Sequence, residues 1–375
     1  MKKVIILTSL FLLSSCRMTP IGSQPYKVDT SAIKSTRGDF SKLNTIFNSN
    51  YALLLLPTQN KIQVFDTIEN RVSSSISTGK TPSDISVSPD KKRIIVTNSQ
   101  DGTISSYFRE SGSKLQYLGD SGSGDNPTSV IFNNLGTEAF VAYKGSNKIN
   151  VFQILVRQKP NVKKILRLKE DGNLFNPYKL AVSEDDKTLF AIDKDNGKLF
   201  TFKKDNDEFT QSNVFDFKEK EKTILEHLVY NKDKLYISDS NSNQIIVFDT
   251  KENVVSNKIA LRKEASNIDL IPTKMALNSV LNKLYIINEG SASVSVVDTS
   301  KNELIKEISL SLNSKQDNLE LTNLSINNDG SYIYITGSSG KNLSIISGKN
   351  DSLIRTLGTT DSIGDLPIFS AIKML

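Results

Sequence analysis

His227 and Cys16 are the only imidazole and the only thiol in a chain of 375 residues that contains no tryptophan. These counts exclude poly-histidine metal centres, bis-histidine haem, Cys/His zinc sites and any disulfide framework, so no metal and no cofactor is expected. Catalysis by Ser, His and Asp would have to pass through His227, which stands two residues beyond Leu225 on an expected strand. A packed or surface histidine is the simpler reading there, and no catalytic residue is assigned. Asp193-Lys194-Asp195-Asn196-Gly197 opens like a calcium loop but lacks the spaced glutamate, so it reads as a turn. Glu184-Asp185-Asp186 reads as another exposed turn. The remaining charged feature is basic: Arg157, Lys159, Lys163, Lys164 and Arg167, within a stretch from Val156 to Asn176. They form a candidate binding face for a protein or an acidic polymer, the alternative being a solvated strand face.

The elements that position these residues begin after a processing signal. Lys2 and Lys3 precede ten mostly apolar residues, Val4 to Leu13, which are too few to span a bilayer. Leu13-Ser14-Ser15-Cys16 follows at once and resembles the bacterial lipoprotein signal. The resemblance implies cleavage before Cys16 and diacylglycerol on its sulfur. Residues 1–15 are then a signal peptide, 16–38 a lipidated cysteine with a flexible polar tether, and 39–375 the folded domain. A lipid-anchored protein of the bacterial cell envelope is expected, on the outer membrane, with the periplasmic and surface faces both open. Losing Lys2 and Lys3 reduces 47 basic residues to 45 against 41 acidic ones, a formal +4. With the lysines scattered among acids, nucleic acid is not an expected partner.

The folded part repeats. Apolar anchors at Leu54, Ile95, Phe140, Phe190, Tyr236, Tyr285 and Tyr334 are spaced by 41, 45, 50, 46, 49 and 49 residues, a period typical of propeller blades or solenoids. Pro82, Pro127, Pro177 and Pro272 each stand 13 residues before their anchor. Apolar side chains follow each Pro at plus three and plus five, as in Ile85 and Val87 or Met275 and Leu277, the alternation of a strand with one buried face. A third strand follows each anchor after the first. A fourth follows Asp-Thr-x-x-Asn turns at 66–70, 249–253 and 298–302, where Asp can accept backbone N–H groups and Asn tolerates a left-handed φ. Four antiparallel strands per repeat and no long amphipathic helix predict an all-β, seven-bladed β-propeller, because radial repetition hides the sheet edges.

Pro82-Ser-Asp-Ile-Ser-Val-Ser-Pro-Asp-Lys-Lys-Arg-Ile-Ile-Val-Thr-Asn98, then Gly102-Thr-Ile-Ser, with Val294-Ser-Val-Val-Asp298 as a third strand, resembles the YVTN family of propeller repeats. The resemblance covers about residues 40 to 375. Repeats 1 and 7 lack the Pro, and Leu225 replaces it in repeat 5. The repeat implies a fold and no activity, being shared by proteins of many functions. A monomeric, non-catalytic binding or scaffold module is expected; the alternative is a lactonase-like hydrolase, for which one histidine leaves little to build with. Excess length at Val156 to Asn176, Phe209 to Thr223, Arg262 to Asp269 and Ser311 to Glu320 is read as long connections on one face. At the C-terminus, Asp365-Leu366-Pro367 opens like an eighth first strand and is expected to complete blade 1, in competition with Ser41 to Phe47.

Overall fold

The computed structural model describes residues 51–69, 71–218, 223–261, 269–310, 321–337, 342–357 and 371–374. The leader, Cys16, the tether, the competing segment at 41–47, the stretch at 262–269 apart from Asp269, the stretch at 311–320 and the Asp365-Leu366-Pro367 opening of the C-terminal segment lie outside these residues. The described chain forms seven four-stranded antiparallel sheets arranged as propeller blades. In blades 2 to 7 the strands run from the axis outward in chain order. Their inner strands are Pro82–Val87, Pro127–Phe132, Lys179–Val182, Leu225–Asn231, Pro272–Asn278 and Leu321–Ile326. Blade 1 takes its inner strand from the chain end: Ala371–Met374 pairs antiparallel with Tyr51–Leu56, from Ala52 opposite Met374 to Leu55 opposite Ala371. The C-terminal segment therefore closes the ring.

Burial follows the repeat register. All seven anchors sit on second strands and are at most 2% exposed. Because successive side chains of a strand point to opposite faces, each blade contributes to two cores, one with each neighbour. Leu53, Leu55, Ile62 and Val64 of blade 1 pack with Ile85, Ile94, Val96 and Tyr107 of blade 2. Ile95 and Ile104, from the other face of blade 2, pack with Val130, Val141 and Phe152 of blade 3. Each such side chain contributes about 1.5–3 kcal/mol when fully buried, so stability resides between blades as much as within them.

Polar locks join the blades where tryptophan is absent. The buried Tyr236 hydroxyl in blade 5 donates to Asn302 Oδ1 at 2.8 Å in blade 6, and Tyr285 in blade 6 donates to Asp351 Oδ1 at 2.6 Å in blade 7. The Asp-Thr-x-x-Asn turns form as their chemistry requires. Asp249 Oδ1 accepts the Lys251 and Glu252 amides at 2.9 and 3.0 Å, while Asn253 and Asn302 take φ of 56°.

Two expectations change. Val156 to Asn176 is not a bare connection: it contains the outer strand of blade 3, Asn161–Leu166, and a small hairpin, Leu168–Glu170 with Asn173–Phe175. Most of Phe209 to Thr223 is likewise the outer strand of blade 4, Glu208–Asp216. Outer strands pack against a single neighbour and stay largely exposed, so their sequences show too little apolar alternation to declare themselves. Asp186, expected in an exposed turn, is buried. It accepts the Asn134 and Leu135 amides at 2.7 and 3.0 Å, tying the turn of blade 4 to that of blade 3.

Candidate functional site

The inner strands bring to the axis a set of side chains that share one register. In blades 2, 3, 5, 6 and 7 the pairing of inner and second strands shifts within the first residues, a β-bulge that re-aims the side chains beside it. Two positions after the Pro, or its Leu replacement, stand Asp84, Ser129, Lys179, His227, Lys274 and Asn323, and all six line a central cavity of about 380 Å³. The cavity continues past Ile131, Val229, Ala276 and Ile326 to Lys91, in the turn after the inner strand of blade 2.

Three charges dominate. Lys179 Nζ donates to Asp84 Oδ2 at 3.0 Å and to the Thr128 carbonyl at 3.0 Å. Asp84 also accepts the amides of Ile85 at 3.0 Å and Val130 at 3.2 Å. Burial alone would raise the Asp84 carboxyl; Lys179 and Lys274 outweigh it and, with the Val130 amide, hold it below the ordinary carboxylate value. Lys274 differs from Lys179: among the described residues no carboxylate lies within ion-pair distance of its Nζ. Burial, followed by repulsion from Lys179, pushes its ammonium down to about 8 against the pull of Asp84, Glu289 and Glu226. At the end of the channel nearer the strand starts, Lys194 pairs with Glu226 at 2.6 Å and lies 5.1 Å from the Tyr178 ring centroid.

His227 is half-buried on the cavity wall in blade 5, neither in a packed core nor on the outer surface. The reason is its bulged position, which turns it toward the axis. The Asp193 loop is a turn: Asp193 Oδ1 accepts the Asp195 and Asn196 amides, both at 3.0 Å. Among the described residues no group of three His, Cys, Asp or Glu side chains is placed to hold a metal ion.

The basic residues fall on the rim of blade 3, away from the channel, and most are matched within the chain. Lys163 pairs with Glu138 at 2.9 Å and Asp207 at 3.4 Å, and Lys164 pairs with Glu208. Arg167 donates to the Ser146 carbonyl at 3.1 Å. The Arg157 guanidinium lies 4.7 Å from the Phe108 ring centroid. Lys159 passes beside Gly119 in the outer strand of blade 2. Lys163 and Lys164 thus occupy an outer strand, the arrangement of the solvated strand face.

The channel set was within reach of the sequence. Once plus three and plus five are assigned to a buried face, the alternation assigns plus two and plus four to the other, and in a propeller the inner strand's other neighbour is the axis. The six residues at plus two then gather two lysines, an aspartate and the one histidine.

No family model matches this chain, and no curated protein matches it. Similar solved structures share the fold at low identity. A Lactobacillus plantarum protein aligns with a TM-score of 0.69 at 13% identity, covering 87% of this chain and 99% of its own. A functionally unknown protein from Desulfotomaculum acetoxidans gives 0.66 at 13%, covering 87% and 99%. The periplasmic gluconolactonase of Pseudomonas aeruginosa gives 0.66 at 15%, covering 87% and 98%. At such identities the likeness establishes a β-propeller and nothing about activity.

Proposed function

We propose that this protein is a lipid-anchored, extracytoplasmic propeller of the bacterial cell envelope that binds or scaffolds without catalysis. The observation that carries the reading is the state of Asp84. It is the carboxylate lining the His227 cavity, and it is taken up by Lys179 and two backbone amides and held below its ordinary range. A saturated anion of that kind is a poor proton acceptor, and so a poor partner for a general base. The same fixed charges suit recognition, since groups held by their neighbours lose little freedom when a ligand arrives. A protein or acidic polymer could use the rim strip from Arg157 to Arg167 only in competition with Glu138, Asp207 and Glu208. The channel is therefore the better-provided site.

A second reading, a lactonase-like hydrolase, draws on one observation: His227 lines the same cavity as Asp84 and the two lysines. It requires turnover that depends on His227.

Anchoring rests on the Leu-Ser-Ser-Cys string, and Cys16→Ala tests it by detergent phase partitioning. The wild type is expected in the detergent phase and the variant in the aqueous phase, because buried acyl chains contribute about 0.8 kcal/mol per CH₂. A variant that still partitions into detergent would overturn the anchor.

A further inference from the structure

We propose that the central channel binds a small organic carboxylate, its oxygens on Lys274 and its carbon skeleton against the apolar collar formed by Ile131, Val229 and Ala276. This rests on the reading of the protein as a binder, and it names the ligand class. Charge is the first argument. The cavity lining carries three lysines, Lys91, Lys179 and Lys274, against the single carboxylate of Asp84. Asp84 is bonded to Lys179, which leaves Lys274 as the excess cation in the inner-strand register, with Lys91 farther along the cavity. A half-buried cation beside a second cation is costly, and an entering anion relieves that cost.

Shape and polarity give the second argument. A cavity of about 380 Å³ lies within the range of small-molecule sites, which combine an apolar lining with a few fixed polar groups. Here Asp84, Lys179 and Lys274 share one register, and the apolar Ile131, Val229 and Ala276 stand two residues farther along their strands than Ser129, His227 and Lys274, with Ser86 and Ser325 at the same level in blades 2 and 7. A ligand with an acid head and a short hydrocarbon body satisfies both levels, whereas a free inorganic anion would leave the collar unused.

Lys274 faces Asp84 of blade 2, Lys179 of blade 4, Glu226 of blade 5 and Glu289 of blade 6, and shares the cavity with His227. With its ammonium lowered to about 8, most molecules are charged there at pH 7 and neutral at pH 9.5. Carboxylate affinity should therefore fall across that interval.

Isothermal titration of the full chain with hexanoate, hexanamide and inorganic phosphate tests the proposal, with each ligand quantified afterwards. Hexanoate is expected to bind at least tenfold more tightly than either of the others, to lose at least tenfold in Lys274→Met, and to keep most of its affinity in Lys274→Arg. Lys274→Met removes a charge that repels Lys179, so its melting temperature should match or exceed the wild type and confirm that it folds. No hexanoate binding, equal affinity for hexanamide, or an unaffected Lys274→Met would overturn the proposal and leave the non-catalytic reading standing. Phosphate binding as tightly as hexanoate would overturn the role given to the collar. Chemical conversion of the bound probe would overturn the non-catalytic reading itself.

Discussion

Truncation after Asp365 removes the strand that closes the ring, and the cost follows from the structure. Ala371–Met374 is paired with the second strand of blade 1 over four residues. Each backbone hydrogen bond lost from such a ladder contributes about 1 kcal/mol net, so the pairing contributes about 4 kcal/mol. Unfolding entropy of about 2.1 cal/mol/K per residue, for a ring of roughly 320 residues, makes 1 kcal/mol equivalent to about 1.5 °C. The truncated protein should therefore melt at least about 6 °C below the full chain by scanning calorimetry. It also bares the edge of Tyr51–Leu56, where Leu53 to Leu56 are fully buried within the sheet. An apolar edge of that kind templates pairing with other chains, so size-exclusion chromatography should show oligomers that the full chain lacks. Melting within 1 °C of the full chain, with a monomeric profile, would mean that blade 1 is closed by something other than the C-terminal strand.

Tyr285→Phe should lower the melting temperature by about 2–4 °C, because a hydrogen bond to a charged group contributes about 1.5–3 kcal/mol and the Asp351 carboxylate loses the hydroxyl at 2.6 Å. Thermal unfolding by circular dichroism checks it, and an unchanged midpoint would remove the interblade lock. Replacing Lys163, Lys164 and Arg167 together by Ser should lower melting by no more than about 4 °C, since their three ion pairs, with Glu138, Asp207 and Glu208, contribute about 0–1 kcal/mol each. Lys204 remains on Glu138 at 2.8 Å in that variant. A loss of about 8 °C or more would show that the rim pairs carry the outer strand of blade 3.

The propeller was legible because its signals repeat. Each anchor sits on a second strand flanked by the blade above and the blade below, so its apolar character is forced seven times over, and the period survives the loss of any single motif. Leu225 and Leu321 start inner strands where Pro is missing, because burial of the first residue, rather than the ring itself, is what the position demands. The outer strand with Lys163 and Lys164 was harder to read, since a strand packed on one side only has no apolar pattern to display. The channel lay in the complementary register: Asp84, Lys179 and Lys274 come from blades 2, 4 and 6, up to 190 residues apart, and only closure of the ring converts an equal offset from a Pro into contact. The 3.0 Å bond from Lys179 to Asp84 is the product of that closure.

The central claim is recognition without chemistry in a channel that nonetheless holds the one histidine. It is tested most directly by following ring opening of a sugar δ-lactone, as proton release at constant pH, with the purified wild type and His227→Ala side by side. Both proteins are expected to match the uncatalysed rate, because Asp84 is spent on Lys179 and backbone amides and offers His227 no proton relay. Turnover by the wild type that His227→Ala abolishes, with folding of the variant intact by circular dichroism, would contradict the account and make the channel an active site.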